Sequence, residues 1–152
     1  MRNRFLASRC EIAEPPVMQR RSTSSSVTAI MMPMGSMADI DRETANATRA
    51  FIDAVASRYD VAGAILFGSR ARKSHRPDSD ADVAVLLHGR PGKFVATKLA
   101  MADLAYDILL ETGIRIQPLP IWEEEWTHPE AYSNPRLLHN IERSRIHCVF
   151  HN

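Results

Sequence analysis

The stretch LFGSRARKSHRPDSDADVAVLL fills residues 66–87. An apolar run ends in Gly68-Ser69, a basic and polar loop follows, and Asp80 and Asp82 then stand one residue apart as a second apolar run begins. Short apolar runs bounded by glycine and by turn residues such as Pro77-Asp78-Ser79 are the pattern of buried strands. The stretch therefore predicts strand, loop, strand, over residues 61–68 and 82–87, with a short helix or loop opening at Ser69.

Alternate side chains of a strand share a face, so Asp80 and Asp82 should project together. Two neighbouring carboxylates repel unless a cation neutralises them. A hard divalent ion does so, and Mg²⁺ takes one or two carboxylates together with phosphate oxygens. On the other side of the loop, glycine lets the backbone come close to a phosphate, and Ser69 offers a hydroxyl and an amide donor. Arg70, Arg72, Lys73 and Arg76 add positive charge. Carboxylates for a metal beside donors for phosphate point to phosphoryl or nucleotidyl transfer.

Working outward, Ile40, Thr44, Ala47, Phe51, Val55 and Tyr59 recur at helical spacing, and Ser36-x-x-Asp39 has the spacing of a capping box. Asp60 is expected to close that helix. Residues 94–111 form a second helix, closed by Gly113, with Phe94, Leu99 and Leu104 expected in the core. Residues 114–121 alternate as a third strand, and Pro118 and Pro120 put it at a sheet edge or have it leave the sheet soon after. A helical turn at WEEEW, a helix over residues 135–144 and a short strand at IHCVF complete the order. Trp122 and Trp126 read as packing residues. The expected class is α/β or α+β, a small mixed β-sheet covered by helices.

The chain has 152 residues and a formal net charge of +1. That length allows one domain with a core, and that charge advertises no nucleic-acid partner. No apolar run reaches the roughly 20 residues that span a bilayer. Cys10 and Cys148 match no metal or redox spacing, and free thiols in the cytoplasm are expected. Residues 1–36 carry five Arg against Glu11 and Glu14, with STSSS, EPP and MMPM, and no helix or strand period. They read as a disordered extension outside the fold, with Met31, Met32, Met34 and Met37 as possible starts. The domain is taken as residues 37–152.

Gly68-Ser69, ten residues, then Asp80-Ala81-Asp82, resembles the signature of the DNA polymerase β-like nucleotidyltransferases, in particular their minimal branch. The resemblance spans roughly residues 45–145 and includes the ending SNPRLLHNIERS. It implies the polymerase β-like fold, with Gly68, Ser69 and Arg70 binding the nucleotide and Asp80 and Asp82 as catalytic Mg²⁺ ligands. It implies ATP or another NTP as substrate. It also implies a HEPN-domain toxin as partner, neutralised by transfer of AMP. Two positions depart from the pattern. Lys73 stands where many relatives have glycine, and Arg115 or Gln117 stands where a third carboxylate is usual. Asp103, Asp107, Glu111 and the Glu123–Glu125 run are the available substitutes. The core leaves no room for a separate acceptor-binding domain, so a partner should present the acceptor. A binding antitoxin without catalysis is the alternative.

Overall fold

The order of elements in the computed structural model follows from where the apolar runs are interrupted. The structure describes residues 35–37, 40–143 and 146–148, all within one compact unit of residues 32–152. They form β1 (Gly35–Ser36), α1 (Arg42–Ala56), β2 (Val61–Phe67), α2 (Gly68–Ala71), β3 (Ala81–Leu87), α3 (Phe94–Thr112), β4 (Ile116–Trp122), α4 (Glu123–Thr127), a 3₁₀ turn (Pro129–Ala131), α5 (Pro135–Arg143) and β5 (Ile146–Cys148). The five strands make one sheet in the order β1-β5-β2-β3-β4. It is mixed: β2 runs antiparallel to β3 and β5, whereas β3–β4 and β1–β5 are parallel. The class is α+β, as expected.

Each sheet face buries its own apolar set, because β2 and β3 are apolar on both faces. On one side, Leu66, Val83, Val85 and Ile116 pack with Phe51, Val55, Met101, Leu104 and Ile108 from α1 and α3. On the other, Ile65, Ala84 and Ile121 pack with Tyr132, Leu138 and Ile141. The edge strand β4 tolerates Pro118 and Pro120, paired with Val83 and Val85, because prolines lack an N–H to donate outward. Trp122 joins the first core and Trp126 packs against the second.

Three expectations are corrected. The cap of α1 is Asp41, whose Oδ1 accepts the Thr44 N–H at 2.8 Å. Ser36 instead pairs in β1 with His147, and Asp39 lies outside the described residues. The helix ends at Ala56, capped by Ser57, before Asp60. Leu99 is not in the core but exposed, and Phe94 is only partly buried against it. α3 is apolar on two faces, so helical spacing alone did not distinguish the buried one. As expected, Gly113 closes α3 in the left-handed region, with φ 74° and its N–H on the Leu109 carbonyl at 2.9 Å. Of the extension set aside as residues 1–36, Gly35 and Ser36 form β1, and the rest lies outside the described residues, as do Cys10 and His151.

Candidate active site

Strand register builds the site. Phe67 pairs with Asp82, and Asp82 pairs with Gln117, so these three form one row across β2, β3 and β4. Two residues further in, the next row on the same face is Ile65, Ala84 and Leu119, part of the core under α5. Phe67 still packs against that core, but on β3 and β4 the terminal row carries the polar Asp82 and Gln117. Alternation places Asp80 and Arg115 just beyond that row, on the same face.

Gly68 follows Phe67 and begins α2 with φ +76°. A Cβ at that position would collide with Asp82 Oδ2 and lie 3.2 Å from its Cγ. Glycine is thus needed twice, for its backbone angle and for the closeness of the Asp82 carboxylate. Ser69, in the first turn of α2, accepts the Ser74 N–H on its carbonyl at 3.0 Å.

Asp82 is half-buried. Burial pushes its carboxyl above the ordinary range, the neighbouring Asp80 charge pushes it further, and Arg72 partly offsets both. Asp80 accepts a hydrogen bond from Gln117 Nε2 at 3.2 Å and lies 3.8 Å from Arg115 Nε. The two residues standing where a third carboxylate was sought therefore face Asp80, and both are donors. Among the described residues no cluster of three or more His, Cys, Asp or Glu could hold a metal. Glu123–Glu125 sit past the opposite end of β4, roughly 20 Å along the strand. There Glu123 meets His88 at 3.1 Å, and Glu125 accepts the Trp122 N–H. Asp103, Asp107 and Glu111 are exposed on α3.

Arg70 has a different setting from that expected of a nucleotide contact. It is 3% exposed and donates to Ser79 O at 2.7 Å, Pro77 O at 3.1 Å and Thr44 Oγ1 at 2.7 Å. It ties the loop immediately before Asp80 to α1. Its charge also reaches Asp41, whose carboxyl is raised by burial but brought below the ordinary value by the Thr44 hydrogen bonds, His75 and Arg70. Asp41, Glu43, Arg70, His75, Pro77 and Ile114 line a cavity of about 460 Å³ behind this loop. None of Gly68, Ser69, Asp80 and Asp82 lines it. The loop cation that acts on the Asp82 carboxyl is Arg72, exposed two residues further along α2 and its cap. Lys73 takes the left-handed conformation, φ 57°, a backbone setting that glycine adopts without the strain a side chain brings.

The sheet thus ends in two adjacent carboxylates, one of them pressed against a glycine turn. The model of the nucleotidyltransferase domain family matches residues 48–146, and the chain belongs to that family. No curated protein matches. A solved structure of a presumed nucleotidyltransferase from Sulfolobus solfataricus is similar, with 20% identity over 64% of this chain and 84% of its own, at a TM-score of 0.43. No described helix is long and apolar enough to cross a membrane.

Proposed function

We propose that this protein transfers AMP, or another NMP, from ATP or another NTP to an acceptor presented by a partner protein. In the reaction an acceptor oxygen attacks the α-phosphorus, that bond forms, and the bond to the bridging oxygen breaks as pyrophosphate leaves. The observation that carries the reading is the juxtaposition of Gly68 with the Asp82 carboxylate, with Asp80 beside it. The donor set fits Mg²⁺: two carboxylates offer hard oxygens, and their mutual repulsion is relieved by a divalent cation. Asp80 and Asp82 would hold it, and it would supply charge neutralisation at the phosphates. Gly68 leaves room for the Asp82 carboxylate beside the turn, and the turn's backbone, Ser69 and Arg72 would supply donors and positive charge to the leaving phosphates. Arg70 positions the loop that carries Asp80.

The biological setting we propose is that of an antitoxin to a HEPN-domain toxin, which the sequence resemblance supports. The placement of Arg115 and Gln117 at Asp80 favours a second reading, an antitoxin that neutralises by binding, with a weak site. Titration calorimetry of ATP with and without Mg²⁺ tests the first part. Binding is expected to require Mg²⁺ and to be lost in Asp80→Asn/Asp82→Asn; equal heats in all samples would remove the metal-dependent site.

A further inference from the structure

We propose that the outward face of α3 docks a helix of a partner protein, one whose apolar face carries Lys or Arg along one edge. The proposal deepens the partner reading above and rests on it for the existence of a partner. Among the described residues, the large exposed apolar side chains are Val95 (67%), Leu99 (62%), Tyr106 (59%) and Leu110 (68%), all on α3. At about 100° per residue these four fall within an arc of roughly 60°, and they extend about 22 Å along the axis. The buried Met101, Leu104, Ala105 and Ile108 occupy the opposite side, against the sheet and α1. Isolated exposed apolar residues are ordinary, but a continuous stripe marks an interaction surface.

Charge selects the occupant. Asp103 and Asp107 are exposed and four residues apart, so they form an acidic edge beside the stripe, and Glu111 carries the row further round the helix. The other edge holds Lys98, engaged 5.9 Å over the Phe94 ring, and the small Ala102. A second copy packed across a two-fold axis would match Val95 with Leu110 and Leu99 with Tyr106. That pairing centres on Ala102-Asp103 and sets each acidic row against its own copy, a like-charge contact that disfavours it. An anionic lipid surface is repelled by the same row. A helix with a basic edge satisfies both the stripe and the row, its apolar face packing on the stripe and its cations on the acidic edge.

The test places the photo-cross-linker p-benzoylphenylalanine at position 99, 106 or, in the loop before Asp80, 78, in the full chain expressed in its native cells. Cross-links from 99 and 106 are expected to map to one amphipathic helix bearing Lys or Arg. Their yield should fall at least tenfold in Asp103→Lys/Asp107→Lys and severalfold in the milder Asp103→Asn/Asp107→Asn. Both variants should melt with the parent, since these side chains are exposed. Links only to a second copy, or to a helix without basic residues, would overturn the proposal. Links from 78 alone would overturn the docking face and leave the partner reading standing. No link from any position, with Mg²⁺-dependent ATP binding intact, would overturn both the face and the partner.

Discussion

At Asp82 the demands of a site oppose those of stability. Burial and the Asp80 charge make its carboxyl harder to ionise in the folded chain than at the ordinary 3.8. Such a group gives its full stability below the unfolded pKa and loses it as pH rises through the higher folded value. The cost of ionisation is therefore fully present at neutral pH. Asp82→Asn, which carries no charge to bury, should melt roughly 1–3 °C above the parent at pH 7 without Mg²⁺. The gap should close on acidification toward pH 3.8. Melting curves across that range, with Asp82→Asn as the reference, check the sign; a variant less stable at pH 7 would show that Asp82 is held by favourable contacts. Gly68→Ala brings the opposite penalty, a left-handed alanine against the Asp82 carboxylate, and should cost about 1–3 kcal/mol by urea unfolding. Both residues were legible in the sequence, because strand alternation and a strand-ending glycine are local patterns. The closeness of Gly68 to Asp82 was not, since it depends on the register Phe67–Asp82.

Among the elements, α2 and its loop depend on Arg70. Sequence alone placed this arginine with the other loop cations, as a phosphate contact. Its acceptors are the carbonyls of Ser79 and Pro77 and the hydroxyl of Thr44, 26 residues earlier, and no local pattern announces so distant a partner. A planar guanidinium serves three acceptors that an ammonium on a flexible stem does not reach together. Arg70→Lys and Arg70→Met should therefore both destabilise the fold by about 2–4 kcal/mol, against little change for the exposed Arg76→Met. Denaturant unfolding of the three variants checks this, and a Lys variant as stable as the parent would reduce Arg70 to a simple charge. The helices show where pattern reading works and where it stops. The α1 stripe from Ile40 to Val55 is buried throughout, because one apolar face alternates with a polar one. In α3 apolar residues fill two opposite faces, so Leu99 read as core although it faces outward.

For the whole molecule, the site joins a local half to a distant one. Gly68, Ser69, Asp80 and Asp82 lie within one hairpin and could be read together. Arg115 and Gln117 arrive through the parallel pairing of β4 with β3, after the intervening α3. Register singles out Gln117: it is the partner of Asp82 and donates to Asp80. Hydroxyl acceptors need a base, and a positioned base contributes about 10²–10⁴ in rate. On the proposed reading, in which Asp80 and Asp82 hold the metal, neither Gln117 nor the neighbouring Arg115 is a base, so transfer by the parent should be slow. Gln117→Glu changes one amide to a carboxylate with almost no change in shape. It should speed labelling of the partner by at least tenfold, measured as added nucleotide by mass spectrometry with labelled ATP. It should also lower the melting temperature without Mg²⁺, since a third acid joins two that already repel. On the proposed antitoxin reading, Asp80→Asn/Asp82→Asn should abolish labelling in both backgrounds and release the toxicity of the partner. A double variant that still neutralises the partner, with no labelling by the parent or by Gln117→Glu, would make the protein a binding antitoxin. The fall in melting temperature would still be expected in that case, because the repulsion belongs to the geometry of the row and not to turnover.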